Sequence, residues 1–251
     1  MTALRTIFGT FLGLLGLVIF TLFFGILTIL FAWVTPSGRF ASWCSRAWGR
    51  CWMFSSGVRV KASFEEALDP SRSYVFLSNH ASWFDIPALL SVLPGKVRIA
   101  AKRGLFQVPI FGWALKAAGF ISVDRGDKSQ GRKVLAIAVE QLKSGGSVVF
   151  FPEGTRSPDG RLLPFQRGGL LLALKSGMPL VPVGISGSLS VMPRSTLRIR
   201  PGVIEVCCGA SVDPNEFGLR RSKQLSGEIR HSIARLAKVP EEAAIDSSAP
   251  S

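Results

Sequence analysis

The sequence predicts an α/β fold: a mostly parallel or mixed sheet flanked by helices, with an N-terminal two-helix membrane-anchoring motif. Three observations carry this reading. Residues 6–38 hold no charge, and residues 7–34 are nearly all apolar. From residue 58 onward, short apolar runs of strand length alternate with longer helical ones, the pattern of a sheet whose crossovers are helices. With 251 residues the chain has room for one such domain and an appendage. The expected organisation is membrane-anchoring helices over 1–57, the α/β domain over 58–239 and a disordered tail over 240–251, where the composition turns acidic, small and polar.

At about 1.5 Å rise per residue, residues 7–34 make a helix of roughly 42 Å. That exceeds a hydrocarbon core of about 30 Å, so the helix can cross with tilt or enter and bend. It is far longer than the apolar region of a signal peptide, about 7–15 residues. Gly9, Gly13 and Gly16 share one helical face, which allows close approach of a second helix or of another copy. The segment 39–54 supplies a partner. Its apolar residues recur at helical spacing, while Arg39, Arg46 and Arg50 share the other face, as in a helix at the headgroup boundary.

Net charge is +14, and its distribution is uneven. Residues 1–64 carry six positive charges and no negative one, while the remainder carries 24 against 16. Net positive charge also suits nucleic acid, but here the asymmetry adjoins the apolar segment. It therefore favours anionic lipid, no nucleic acid, and a main domain on the cytoplasmic face of the inner membrane. The four cysteines lack metal-ligand spacing and read as small buried residues in a reducing compartment.

Strands are expected at 74–78, 97–101, 120–123, 147–151, 181–185 and 197–207. Helices are expected at 83–93, 106–117, 128–143, 166–176 and 220–237. The first strand-to-helix junction carries Asn79-His80-Ala81-Ser82-Trp83-Phe84-Asp85. Open α/β sheets place their chemistry at such strand ends. Only two histidines occur, His80 and His231, so His80 is the candidate for a group that exchanges a proton near neutral pH. Ser82 and Asp85 fit a capping box. A cap would also hold Asp85 where it can accept from the imidazole, leaving the other ring nitrogen as a base.

Two further runs stand out. Phe151-Pro152-Glu153-Gly154-Thr155-Arg156-Ser157 follows an apolar strand and makes a tight polar turn. Arg156 suits a phosphate because its planar fork donates two parallel bonds; alternatively, Glu153 and Arg156 pair across a surface turn. Lys102 opens a run through Gly104, Pro109 and Gly112 to Arg125, which also fits a packed helix with a snorkelling lysine.

These blocks, with Val181-Pro182-Val183, occur in the order and at the intervals of the bacterial 1-acylglycerol-3-phosphate acyltransferases. The chain resembles that family, also called the lysophosphatidic acid acyltransferase or PlsC family, over about residues 74–186. Gly104 departs from it, standing where many members have glutamate. The resemblance implies acyl transfer from acyl-CoA or acyl carrier protein to the sn-2 hydroxyl of a lysophospholipid, at a membrane and with no cofactor or metal. It implies His80 as base and Asp85 as its partner. Lys102, Arg125 and Arg156 would sit at the acceptor phosphate, with Glu153, Gly154 and Thr155 in the substrate-binding turn. Glycerol 3-phosphate or lyso-ornithine lipid is an alternative acceptor. Arg194, Arg198 and Arg200 form a basic patch that suits an acidic acyl carrier or protects a sheet edge.

Two other classes compete. Residues 184–188 fall short of the serine-hydrolase GxSxG, and the histidine lies upstream, the wrong order for an α/β-hydrolase. A non-enzymatic lipid-binding protein explains the charge and the anchor but gives His80 no purpose.

Overall fold

The structure is a computed structural model and describes residues 2–34, 38–123, 131–218 and 220–240. Arg125, the expected helical start at 128–130 and all but the first residue of the expected tail lie outside these residues.

Helices α1 (Thr2–Phe31) and α2 (Arg39–Ser55) precede the sheet. The strands are β1 (Val58–Phe64), β2 (Val75–Ser78), β3 (Val97–Lys102), β4 (Ile121–Val123), β5 (Ser147–Phe150), β6 (Leu180–Ser186) and β7 (Gly202–Cys208). Between and after them lie α3 (Asp85–Val92), α4 (Phe111–Ala117), α5 (Gly131–Lys143), α6 (Arg167–Ser176), α7 (Ser188–Val191) and α8 (Ser222–Ala237). The sheet order is β1-β7-β6-β2-β5-β3-β4; the β6–β7 pair is antiparallel and all other pairs are parallel. The expected mixed α/β sheet is therefore present.

Three expectations differ from it. The helix expected over 106–117 is a 3₁₀ turn over Arg103–Gln107 followed by α4 from Phe111, with Ile110 between them at φ +62°. The run 197–207 is a strand only from Gly202. Residues 198–201 form a connection seated on α1, and the alternation of Leu197 and Ile199 with arginines reflects Ile199 being driven into that contact. Strand β1 was not expected at all. It is an edge strand with only Val58 buried, so its sequence lacks the apolar run that marks a central strand.

Central strands are apolar on both faces because helices cover both. Phe76 of β2 faces one core with Trp52, Phe84, Leu89 and Ile204, while Val75 and Leu77 face the other with Leu142, Leu172, Ile229 and Ile233. Leu14, Leu17 and Trp48 pack against the first core, tying the helical hairpin to the sheet domain.

Helix α1 is long and apolar enough to cross a membrane by length and composition. Its glycines are used within the chain. A Cβ on Gly13 would lie 2.6 Å from Ile199 Cδ1 and 2.8 Å from Ser56 Oγ; one on Gly9 would lie 2.8 Å from Pro201. Gly16 meets Ser55 in the same way. The small-residue face thus seats the end of α2 and the 199–201 connection, which leaves it closed to self-dimerisation. The Trp52 indole N–H donates to the Gly13 carbonyl at 3.0 Å, and Trp48 to the Thr21 hydroxyl at 3.0 Å.

Candidate active site

Parallel pairing aligns the carboxyl ends of three strands. Leu77 of β2 pairs with Phe150 of β5, and Ser78 with Val183 of β6. The segments 79–85 and 151–157 therefore leave the sheet side by side. Ile99 of β3 pairs with Val149, so Lys102, three residues on, reaches the level of Pro152. Asn79 locks the junction to β6: its amide donates to the Ile185 carbonyl at 2.9 Å and accepts from the Ile185 N–H at 2.7 Å.

The His80 Nδ1 lies 2.7 Å from Asp85 Oδ2, with both residues buried. The same oxygen accepts from the N–H groups of Ala81 and Ser82, at 2.7 and 2.8 Å. Asp85 therefore ties the turn before α3 to the imidazole, but the expected capping box is not formed: Phe84, not Ser82, stands at the N-cap of α3, and no side chain caps that helix. Ser82 contributes a shorter reach than the capping-box reading assumes, accepting from the Phe84 N–H at 3.2 Å while donating to the Met192 carbonyl at 2.8 Å. The ring stacks on Phe151, centroids 4.0 Å apart at 18°. Nδ1 is occupied by Asp85, and Nε2 is the ring nitrogen that Asp85 does not engage.

The turn after β5 grips the same histidine by its backbone. The His80 N–H donates to Glu153 Oε1 at 2.9 Å, and its carbonyl accepts from the Ser157 N–H at 2.7 Å. The other oxygen of Glu153 accepts from the Leu163 N–H at 2.9 Å. Glu153 is thus buried with both carboxylate oxygens on backbone amides. Burial is the main influence pushing its pKa up, to about 7; the two amide bonds and Arg230 pull it down, and Asp85 pushes it further up. Gly154 makes the turn with φ +70°, a conformation that costs L side chains energy.

Arg156 lies over the Trp83 ring, 4.2 Å from its centroid, and its carbonyl accepts from Arg194 at 3.0 Å. The guanidinium thus lies over an aromatic ring of the histidine segment. Lys102 is exposed, Thr155 is half-buried in the turn, and a Cβ on Gly104 would meet nothing within 4 Å. The structure brings together His80, Asp85, Glu153, Gly154, Thr155 and Arg156 and puts Lys102 on the same edge.

Sequence reasoning passed over Asn79, Trp83 and Phe151 as working parts. The signal was present: each sits inside a motif already singled out. Trp83 also lines an apolar cavity of about 500 Å³ with Leu14, Leu17, Trp48, Ile86 and Met192. One indole therefore lies both under a guanidinium and along the wall of an apolar cavity.

A family model described as Acyltransferase matches residues 59–186. A chloroplastic 1-acyl-sn-glycerol-3-phosphate acyltransferase from Brassica napus is 43% identical over 119 residues, 47% of this chain and 34% of that protein. The chain thus spans about a third of that relative's length. A 1-acyl-sn-glycerol-3-phosphate acyltransferase from Pseudomonas aeruginosa is 33% identical over 189 residues, 75% of this chain and 70% of that protein. The crystal structure of the 1-acyl-sn-glycerophosphate acyltransferase PlsC from Thermotoga maritima superposes with a TM-score of 0.80 over 96% of this chain and all of that one, at 23% identity, and shares the fold. Matched by the family model over half its length, and by relatives carrying one enzyme name, the chain belongs to the acyltransferase family that includes the 1-acyl-sn-glycerol-3-phosphate acyltransferases.

Proposed function

We propose that the protein transfers an acyl group from a thioester to the sn-2 hydroxyl of 1-acylglycerol 3-phosphate, giving phosphatidic acid, at the cytoplasmic face of the inner membrane. The observation that carries this is the 2.7 Å His80–Asp85 pair in the same segment as Trp83, whose ring lies under Arg156 and lines an apolar cavity. His80 Nε2 takes the hydroxyl proton as the oxygen attacks the thioester carbonyl, and Asp85 stabilises the imidazolium that forms. Collapse of the tetrahedral intermediate expels the thiolate, which takes the proton back from His80 and leaves as thiol. A base beside the acceptor alcohol makes a covalent acyl-enzyme unnecessary.

Arg156, held flat on Trp83, supplies the planar fork for the acceptor phosphate. Lys102 adds charge from the end of β3, and Arg125 is assigned to the same phosphate from the family pattern. Glu153 acts through the His80 amide, and Gly154 and Thr155 shape the wall beside it. The cavity next to Trp83 takes an acyl chain, which would otherwise meet water at about 0.8 kcal/mol per methylene. Phe8, Ile19, Phe23 and Leu30 of α1 are exposed and apolar, as a helix buried in lipid requires.

Complementation of a strain lacking its own lysophosphatidate acyltransferase, with product analysis, tests the reading. Growth with new phosphatidic acid is expected. Acylation of glycerol 3-phosphate or of lyso-ornithine lipid alone would reassign the acceptor. Arg156→Ala is expected to raise KM for lysophosphatidate about tenfold or more, since charge-assisted bonds contribute about 1.5–3 kcal/mol each. An unchanged KM would remove Arg156 from the phosphate site.

A further inference from the structure

Arg198 and Arg200, which the proposed chemistry leaves unused, do not stand alone. The connection that carries them is pinned to α1 and α7: the Ile199 N–H donates to the Thr10 hydroxyl of α1 at 2.9 Å, and the Arg200 N–H to the Val191 carbonyl of α7 at 2.8 Å. Seated there, Arg198 and Arg200 meet Arg5 of α1 and Arg59 of β1 around one open groove of about 1270 Å³. All four side chains are exposed, and no carboxylate is among the residues lining the groove. Its apolar wall is Ile7, Phe11 and Leu14.

Leu14 also lines the apolar cavity beside Trp83, so the two spaces adjoin along α1. From Leu14 back to Arg5 is about 14 Å at 1.5 Å per residue. The arm between the thioester sulfur and the first phosphate of a phosphopantetheine group extends about 15 Å, judged by the reach of a peptide chain with as many bonds. A leaflet phospholipid carries one phosphate in its backbone, whereas coenzyme A carries three, one of them a monoester. Four convergent guanidinium groups match the second.

We propose that this groove holds the phosphates of coenzyme A, so that the pantetheine arm of the acyl donor runs along α1 out of the cavity, with its nucleotide among the four arginines. The inference rests on the acyltransferase reading and adds the donor and its location. Ile7 and Phe11 give the adenine an apolar wall, and the arm follows α1 between Leu14 and Arg5.

The test compares palmitoyl-CoA with palmitoyl-N-acetylcysteamine, a thioester that ends before the phosphates, in the full-length protein. Arg198→Ala/Arg200→Ala is expected to raise KM for palmitoyl-CoA at least tenfold. It should leave KM for lysophosphatidate and kcat/KM for the truncated thioester within about twofold. Arg5→Ala/Arg59→Ala, on two other elements, should do the same. An unchanged KM for palmitoyl-CoA, or equal losses with both thioesters, overturns the assignment. So does a loss seen only with acyl carrier protein, or one that appears only on phosphatidylglycerol-containing vesicles and not on phosphatidylcholine, which would make the groove a carrier or lipid surface. A wild type that works with palmitoyl-acyl carrier protein but with neither thioester overturns the donor assignment alone, and failure with all three sinks the acyltransferase reading itself.

Discussion

Replacing His80 by alanine is expected to lower acyl transfer by about 10³-fold or more while the protein stays folded and membrane-bound. General-base catalysis contributes about 10²–10⁴-fold, and here the base is also the group that reprotonates the leaving thiolate. The fold should persist because Asp85 Oδ2 keeps its bonds from Ala81 and Ser82 when the imidazole goes. Glu153 and Ser157 hold the backbone of residue 80, not its side chain, so alanine leaves both contacts available. Circular dichroism, thermal melting and vesicle co-sedimentation check the first half; thioester turnover checks the second. Retention of more than about a tenth of the activity would remove His80 from the chemistry.

Glu153→Gln is the second large effect, and its signature is a pH dependence. A glutamine has one acceptor oxygen where the carboxylate presents two, so its NH₂ faces an amide N–H of His80 or Leu163. A drop in kcat of about tenfold or more is expected, since a small misplacement of a catalytic group is costly. The pKa of about 7 lies above the ordinary 4.5 for glutamate, so the folded state binds a proton more tightly than the unfolded one. This group's contribution to stability is therefore full below about pH 4.5 and falls as pH rises through 7. The change is on the order of 3 kcal/mol at about 1.4 kcal/mol per pH unit.

Melting wild type and variant side by side across pH 4.5–8 should show the wild-type advantage shrinking as pH rises. The acid limb of kcat/KM should be shallower in the variant, which has lost one ionisation. A stability difference that stays flat with pH would remove Glu153 as the titrating group, and a normal kcat would remove it as the strap on His80.

What could be read from the residue order divides along physical lines. The histidine–carboxylate pair was legible because five positions across a strand-to-helix junction are a local distance. The layers were legible because strands buried on both faces are continuously apolar. Strand β1 was hidden because an edge strand owes its place to main-chain pairing with β7, which its side chains scarcely record. The contact between Arg156 and Trp83 was hidden because it joins residues 73 positions apart, brought together only by the pairing of β2 with β5. Arg5, Arg59, Arg198 and Arg200 come from three distant stretches, and only the docking of α1 reveals that they share a groove. The glycines of α1 announced a close approach without naming the partner, which is as much a connection as a helix.

Helix α1 has two apolar sides: one exposed, which the proposed function assigns to lipid, and one lining the chamber with Leu14 and Leu17. Tether and vessel are consequently a single object. On the proposed function, cutting the tether to obtain a water-soluble catalyst would breach the vessel, so residence at the bilayer and turnover could not be engineered apart.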